Sequence, residues 1–366
     1  MIPMIPYFTP LRQYELLREE IKKAIQEVFE SGIFIYGKNM EAFEKEFASY
    51  CGKKYGIGVG NGTDAIQLAL MVLGVRHGDE VITPTNTAMP TAAAITATGA
   101  TPVFADIDPE SFNIDTEKIG ERITSRTKAI IPVHLYGQSA DVGRIKEIAE
   151  KHNLKIIEDC CQAHGAEYKG KKVPVTDLGC FSFYPTKNIG GYGDGGIIVT
   201  NNSEIEEKLK LMRDCGQEKR YYYKIKGINS RLDEIHAAML RVKLKYLEKW
   251  IGRRRNIANM YNELIKNPMI QVPKEKGYGK HAYHLYVIKC KKRDKLMGHL
   301  AKNGVGTLIH YPIPLHLQEA YKELGGKVGD CSVAESVVKQ IVSLPMFPEL
   351  SDEEIKKISQ LINSLK

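Results

Sequence analysis

Hydrophobic residues along the chain recur at two spacings, and the two spacings alternate. Short apolar runs such as Tyr55–Val59 and Thr101–Ala105 have the length of buried strands. Longer segments such as Leu11–Glu30 and Asp141–His152 repeat their apolar residues at helical spacing. Strands that alternate with helices favour a mostly parallel sheet with helices on both faces. The pattern therefore predicts an α/β fold.

The pattern changes near Arg253–Asn256, where a long helix with one apolar stripe runs into a charged cluster. Beyond it, alternation over Tyr283–Cys290 predicts a strand, and further helices follow, the last opened by the capping-box sequence S-D-E-E. A chain of 366 residues is long enough for two domains. We predict a large domain over residues 1–255, which starts with an extended arm over residues 1–10, and a smaller α+β domain over residues 256–366.

Composition narrows the classes of protein that fit. The net charge of +8 is spread along the chain, without a basic stripe interleaved with aromatic residues, which favours an anionic small ligand over a nucleic acid. The seven cysteines are scattered and include no C-x-x-C pair, so we expect reduced thiols in a cytoplasmic protein, and neither a disulfide framework nor a bound metal. We expect no signal peptide, because the N-terminal M-I-P-M-I-P-Y lacks a charged start followed by an apolar region. We expect no membrane partner, because the uncharged stretch Ala88–Ala105 is rich in Thr, Gly and Pro.

The sequence G-N-G-T-D-A, at Gly60–Ala65, joins the first predicted strand to a predicted helix over Ala65–Leu73. Backbone N–H groups and the helix dipole favour a phosphate at such a turn, and the Thr63 hydroxyl can add a hydrogen bond. A plain helix cap by Thr or Asp fits the same residues, so both interpretations stay open. The turn is not a P-loop, because the Gly-Lys-Ser/Thr ending is missing.

A second stretch, Gly179–Thr200, reads G-C-F-S-F-Y-P-T-K-N-I-G-G-Y-G-D-G-G-I-I-V-T. It predicts a strand, a loop that carries Lys187, a glycine-rich segment and a second strand. An aromatic and glycine-rich wall can shield a lysine from water and lower its pKa, which makes the amine nucleophilic toward carbonyls. The alternative is an ordinary lysine on a surface loop.

Together these features match the needs of pyridoxal phosphate (PLP). This cofactor requires a phosphate anchor, an acid beside its ring nitrogen and a lysine for a Schiff base. Thr63, Asp159 and Lys187 supply these groups in order, near the ends of predicted strands, where ligands bind in parallel sheets. Ser182 can add a phosphate contact, and Gln162 can reach the ring or its phenolic oxygen. An ordinary structural role fits each residue singly.

Four segments carry a resemblance to a known family: G-N-G-T-D-A, E-D-C-C-Q-A-H-G-A, F-S-F-Y-P-T-K-N-I-G-G-Y-G-D-G-G and N-S-R-L-D-E-I-H-A-A-M-L. They resemble the DegT/DnrJ/EryC1/StrS sugar aminotransferases from about Gly32 to the C-terminal helix. The resemblance implies the aspartate aminotransferase-like fold, which is PLP fold type I, and a homodimer with each site at the subunit interface. It implies that Lys187 is the Schiff-base lysine and the general acid/base. Related sugar dehydratases have histidine at that position, so the lysine indicates a transaminase.

The resemblance also implies roles for other residues. Asp159 would hold the pyridine nitrogen and Gln162 would lie against the cofactor. Many members place an aromatic residue on the ring where this chain has Ala88, so Met89 or another side chain would have to cover it. The implied phosphate-binding residues are Gly62, Thr63, Asp64 and Ser182, with Asn229 reaching in from the neighbouring subunit.

The segment G-V-G-T-L-I-H-Y-P-I-P-L-H-L-Q, at Gly304–Gln318, indicates a subgroup. It is similar to enzymes that aminate C-3 of dTDP-3-oxo-6-deoxyhexoses, of glucose or galactose configuration, with L-glutamate as donor. These enzymes serve deoxyaminosugar biosynthesis. For His310, a packed core histidine is an equal alternative. The implied residues of the sugar-nucleotide pocket are Tyr184, Arg220, Tyr221, His310 and Tyr311.

Other functions stay open. Within the enzyme class these are a C-4 aminotransferase and a C-3 enzyme for a UDP-linked ketosugar. From another class, a regulator that binds PLP without turnover also fits. Gly191, Gly193 and Gly196 have the G-x-G-x-x-G spacing of nicotinamide-binding proteins, but this motif precedes a strand instead of linking a strand to a helix.

Overall fold

A central sheet flanked by helices organises the chain in the computed structural model, which describes residues 5–365. The α-helices are α1 (Leu11–Ser31), α2 (Lys38–Tyr50), α3 (Gly62–Val72), α4 (Met89–Ala97), α5 (Thr116–Gly120), α6 (Val142–Lys151), α7 (Ser203–Met212), α8 (Glu234–Leu244), α9 (Leu247–Leu264), α10 (Arg293–Lys302), α11 (Ser332–Val337) and α12 (Asp352–Asn363). Short 3₁₀ helices span Leu135–Gly137, Leu315–Leu317 and Glu319–Leu324.

The strands are mostly short. In chain order they are β1 (Tyr55–Val59), β2 (Glu80–Pro84), β3 (Thr101–Ala105), β4 (Thr127–Ile130), β5 (Lys155–Ile156), β6 (Glu158–Asp159), β7 (Glu167–Tyr168), β8 (Lys171–Lys172), β9 (Gly179–Ser182), β10 (Gly196–Thr200), β11 (Gln217–Lys219), β12 (Tyr222–Tyr223), β13 (Ile270–Gln271), β14 (Gly279–Lys280), β15 (Tyr286–Cys290) and β16 (Ile341–Leu344). No helix among the described residues combines the length and apolar character needed to cross a membrane.

Two four-stranded ladders, β3-β2-β4-β5 and β6-β9-β10-β1, follow one another, because only Ile157 separates β5 from β6. All pairs are parallel except those of β10, which runs antiparallel to β9 and to β1. Strands β1 and β9 therefore point the same way, and β6 runs parallel to β9. The predicted mostly parallel sheet is confirmed. Its direction brings the carboxyl ends of β1, β6 and β9 to one edge.

Several predicted elements differ from the structure. The sequence predicts a strand over Ala129–Leu135, but strand β4 ends at Ile130, and Pro132, which lacks an N–H, follows it. The single helix with an apolar stripe is two helices, α8 and α9, separated by a turn at Lys245 and Tyr246, where Tyr246 N donates to Lys243 O at 3.0 Å. The sequence also predicts a helix over Cys331–Ile341, but only α11 forms there, and Ile341 already belongs to β16.

The C-terminal residues build a hydrophobic core of their own from α9, α10, α12, β15 and β16. Ile5 joins that core and forms a parallel bridge with Val305, while residues 1–4 of the predicted arm lie outside the described residues. Helix α9 passes through the predicted domain boundary at 255/256 without a break. The division into two domains at that point stays a prediction.

A buried hydrogen-bonded carboxylate fixes the strand end that precedes Asp159. Glu158 accepts hydrogen bonds from His134 Nε2 (2.8 Å), Thr176 Oγ1 (2.6 Å) and Val175 N (3.1 Å). His134 Nδ1 accepts from Ala140 N, so its Nε2 carries the proton. Burial alone would raise the pKa of Glu158, but the bonds from His134 and Thr176 outweigh it and lower the pKa. Cys160 lies close enough to complete a possible ligand set, but His134 and Glu158 already bond to protein groups.

We predict that Glu158→Gln lowers the free energy of unfolding at pH 7 by about 1–3 kcal/mol, because buried N–H donors lose their charged acceptor. Because folding lowers the pKa of Glu158, its ionised carboxylate stabilises the fold at pH values above the ordinary pKa of 4.5. This stabilisation is lost as the pH falls below 4.5 and the carboxylate takes up a proton. The difference between wild type and variant should therefore shrink below pH 4.5 in urea unfolding. Glu147→Gln, in an exposed ion pair with Arg144, should change stability by less than about 0.5 kcal/mol. Equal effects of the two variants would contradict this account.

Candidate active site

The glycine turn after β1 leads directly into helix α3. Asn61 caps the helix, because its side-chain oxygen accepts from Asp64 N at 2.9 Å; the cap is therefore Asn61 and not Thr63 or Asp64. A Cβ on Gly62 would lie 2.7 Å from Ser182 Cβ and 2.9 Å from Cys161 Sγ, so only glycine fits. The N–H groups of this first turn have no acceptor within the helix. A free helix N-terminus beside a hydroxyl is suited to a phosphate.

A cavity of about 270 Å³ opens at this edge of the sheet. It brings together residues from three strand ends and from the loop after β2. The sequence-predicted residues that line it are Gly62, Thr63, Asp159, Gln162, Ser182, Tyr184 and Lys187. The other lining residues are Asn61, Ile66, Thr87, Ala88, Pro90, Thr91, Val133, Cys161 and Asp194.

Both oxygens of the buried Asp159 carboxylate are engaged. Oδ2 accepts from the Thr91 hydroxyl at 2.8 Å, and Oδ1 accepts from Cys161 N at 3.0 Å. One bond comes from α4 and the other from the chain just beyond β6. These bonds fix the orientation of the carboxylate at the cavity wall.

Lys187 follows β9 on the loop that closes the cavity. Burial lowers the pKa of Lys187, and the negative charge of Asp159 opposes this effect. Burial raises the pKa of the Cys161 thiol, so that thiol adds no negative charge at neutral pH. The amine is therefore more available as a free base than an exposed lysine would be.

The histidines near Lys187 are neutral. Burial, aided by the positive charge of Lys187, lowers the pKa of His164 to about 3 and that of His310 to about 4. The same two causes lower the pKa of His284. These three histidines therefore add no positive charge to the surroundings of Lys187 at neutral pH.

A hydrogen-bond chain connects the cavity to the C-terminal residues. Gln162 Oε1 accepts from Tyr136 N at 2.8 Å, and its Nε2 donates to the Tyr311 hydroxyl at 3.1 Å. The Tyr136 hydroxyl donates to the carbonyl of His310, whose ring bonds to Ser343. His310 and Tyr311 thus lie next to the cavity, behind Gln162.

Four sequence-predicted residues lie elsewhere in this chain. Asp64 bonds to the Ser230 hydroxyl at 2.6 Å and does not line the cavity. Asn229 is exposed, and so are Arg220 and Tyr221, which pack on each other at the β11–β12 hairpin. A single chain therefore does not bring these four to the cavity.

Sequence reasoning missed other residues of the site. Thr91 gave no local signal, because its contact with Asp159 spans 68 positions. Asn61 could have been found, since Asn directly before a helix is a preferred cap. Ala88 lines the cavity as expected, but Met89 packs against Ala92 and Phe104 and not over the cavity.

The residues present fit PLP. A helix N-terminus with an obligatory glycine and Ser182 suit its phosphate, and the fixed Asp159 carboxylate suits its ring nitrogen. Lys187, with its lowered pKa, suits its aldehyde. The cavity therefore offers groups that suit the phosphate, the ring nitrogen and the aldehyde of this cofactor.

We predict that Gly62→Ala weakens PLP binding and lowers the free energy of unfolding by about 1–3 kcal/mol, because the added methyl group overlaps Ser182 and Cys161. Gly252→Ala is the matched control, since a Cβ there meets nothing within 4 Å; it should stabilise α9 by about 0.5–1 kcal/mol. Urea unfolding and absorbance titration of apo-protein with PLP measure both effects. Unchanged PLP affinity in Gly62→Ala would refute the phosphate assignment.

Proteins of known sequence resemble the chain along almost its full length. A dTDP-3-amino-3,6-dideoxy-alpha-D-galactopyranose transaminase of Aneurinibacillus thermoaerophilus is 48% identical over 98% of this chain and 99% of the relative. A pleiotropic regulatory protein of Geobacillus stearothermophilus is 45% identical over 98% of this chain and 97% of the relative. A UDP-N-acetyl-3-dehydro-alpha-D-glucosamine 3-aminotransferase of Acidithiobacillus ferrooxidans is 41% identical over 99% and 96%.

Solved structures confirm the predicted aminotransferase fold. The crystal structure of DesV from S. venezuelae, in complex with a ketimine intermediate, superposes with a TM-score of 0.97 at 40% identity and covers 99% of this chain and 98% of that chain. The structure of NtdA from Bacillus subtilis, with bound cofactor PMP, has a TM-score of 0.92 at 33% identity and covers 99% and 85%. The sequence profile of the DegT/DnrJ/EryC1/StrS aminotransferase family matches residues 15–363, and the chain belongs to this family.

Proposed function

We propose that this chain is a PLP-dependent aminotransferase that transfers the amino group of L-glutamate to C-3 of a dTDP-linked 3-oxo-6-deoxyhexose. The observation that carries this proposal is the shared cavity of Lys187, Asp159 and the Gly62–Thr63 turn. Family membership and the 48%-identical dTDP-sugar transaminase support it. The products are a 3-amino sugar nucleotide and 2-oxoglutarate.

The protein's own residues have separate tasks in this reaction. When bound, PLP supplies an aldehyde that carries the amino group and a ring that accepts electrons. Lys187 would hold that aldehyde and, as a free amine, would move the proton at Cα of glutamate and the proton at C-3 of the sugar. Asp159 would keep the ring nitrogen protonated, and Gly62, Thr63 and Ser182 would hold the phosphate.

The relatives also bear on the nucleotide of the substrate and on the sugar carbon that receives the amino group. The dTDP-sugar relative favours thymidine, and the Acidithiobacillus relative keeps a UDP-linked substrate as the second candidate. Both are named for amination at C-3, which favours C-3 over C-4. Tyr184 at the cavity mouth, with His310 and Tyr311 behind Gln162, would contact the sugar.

A regulator that binds PLP without turnover is the second candidate function. The relative named as a pleiotropic regulatory protein favours it. Lys187 and Asp159 favour an enzyme, because anchoring PLP alone does not require a mobile base beside the reacting carbon. Turnover of glutamate discriminates between the two.

We propose that the working unit is a homodimer whose sites lie at the subunit interface. Three of the implied site residues, Asn229, Arg220 and Tyr221, are exposed and away from their own chain's cavity. The segment Ile33–Tyr36 exposes four consecutive large apolar side chains, by 37–52%. A patch of this kind is typical of a protein interface. Asn229 would then reach the phosphate of the partner's site.

We predict that Lys187→Ala lowers turnover by at least about 10²-fold, because the acid–base group is lost, while the fold is retained. The assay combines purified protein, L-glutamate and a panel of dTDP- and UDP-linked 3-oxo and 4-oxo sugars. Lys155→Ala, an exposed lysine on β5, is the control and should keep full activity. If the enzyme prefers a UDP-linked sugar, the proposed nucleotide is wrong but the proposed aminotransferase reaction stands. Normal transamination by Lys187→Ala would overturn the lysine assignment, and no turnover by wild type would favour the regulator.

We predict that mixing Lys187→Ala with Asn229→Ala protein restores activity. Hybrid dimers then contain one intact site, so a 1:1 mixture should reach roughly a quarter of wild-type activity. Lys187→Ala mixed with Asp159→Asn is the control and should restore nothing, because both residues line the same chain's cavity. Sedimentation velocity gives the size of the working unit. If both mixtures stay inactive, or Asn229→Ala alone is fully active, Asn229 does not serve the partner's site.

A further inference from the structure

A buried row of three polar side chains lies outside the cavity and has no part in the proposed reaction. Glu335 Oε1 is 3.2 Å from His316 Nε2, and His316 Nδ1 is 2.7 Å from Thr85 Oγ1. Thr85, His316 and Glu335 are 0%, 5% and 8% exposed. The row joins the C-terminal residues to the loop between β2 and α4.

The direction of the hydrogen bonds follows from the acceptors. Glu335 Oε1 already accepts from Gly329 N at 2.8 Å and from Cys331 N at 3.3 Å, so it acts as an acceptor. His316 Nε2 therefore donates to it, while His316 Nδ1 lies at hydrogen-bond distance from the Thr85 hydroxyl, whose oxygen also accepts from His316 N at 3.3 Å. The order carboxylate, imidazole, hydroxyl is also that of a hydrolase triad.

Burial argues against a nucleophile at Thr85. Its side chain is fully buried, its N–H donates to Ala105 O at 2.9 Å, and its carbonyl accepts from Leu315 N at 2.8 Å. No face of the residue is left open to a substrate. The row holds the side chain of Thr85, and the bonds to Ala105 and Leu315 hold its backbone; together these contacts form a clamp on Thr85.

Thr85 is the first residue of the loop that forms one wall of the cavity. Ala88 and Thr91 follow it along this wall, and Thr91 donates to Asp159. Leu315 packs with Phe104 and Ala92 behind the same wall. Movement of Thr85 would thus displace the hydroxyl that orients the Asp159 carboxylate.

We propose that His316 is a positioning residue for the cofactor cavity, which acts through Thr85 on the wall that presents Thr91 to Asp159. This inference rests on the proposed PLP function. Its expected consequence is that loss of the clamp weakens PLP binding more than it weakens the fold.

The test compares two buried threonines in the full-length protein: Thr83 in β2 and Thr85, which directly follows β2. Thr85→Val removes the clamped hydroxyl at constant shape, and PLP should bind apo-protein about tenfold more weakly, as expected for one lost hydrogen bond. Thr85→Ser keeps the hydroxyl and should stay within about twofold of wild type. Thr83→Val is the control, because the Thr83 hydroxyl is also fully buried but donates only to Ile131 O at 3.1 Å.

Absorbance titration gives the PLP dissociation constant, and urea unfolding gives stability. The inference holds if Thr85→Val and Thr83→Val lose similar stability but only Thr85→Val loses PLP affinity. His316→Asn should also weaken PLP binding, and adding Thr85→Val to it should cost little more, because both break the same contact. Equal PLP affinity in the two valine variants would overturn the inference. Failure of wild-type apo-protein to bind PLP would instead overturn the proposed function.

Discussion

The parallel pairing of β6 with β9 is the constraint on which the site depends. Its register sets Asp159 beside Cys180, so the acid ends one strand while the neighbouring strand continues two residues further, to Ser182. The chain then turns and brings Lys187 back over the same edge. Strand β1 points the same way as β9 and places Gly62 against Ser182. A one-residue slip of β9 would send Ser182 to the other face of the sheet.

The electrostatics of the cavity follow from burial more than from pairing. Burial lowers the pKa of Lys187, and the imidazoles around it are uncharged for the same reason. The charge of Asp159 acts on this lysine, and hydrogen bonds from Thr91 and Cys161 hold the Asp159 carboxylate in place. An amine with a lowered pKa and an oriented carboxylate thus line the same cavity.

Local patterns in the sequence were sufficient to select residues that the structure brings together in one cavity. The glycine turn at Gly62, the acid at a strand end and the lysine in a glycine-rich loop are each readable within a few residues, and the alternation of strands and helices predicted the sheet. Thr91 and His316 could not be predicted, because their partners lie 68 and 231 positions away. The break between α8 and α9 could not be predicted from the sequence either, because the apolar stripe continues across it.

The central claim is that Lys187 forms the covalent link to PLP in this cavity. Reduction of the PLP-loaded protein with borohydride, followed by proteolysis and peptide mass spectrometry, tests it most directly. The account predicts one phosphopyridoxyl adduct per chain, on the peptide that contains Lys187. An adduct on another lysine, or no stable adduct after reduction, would contradict it.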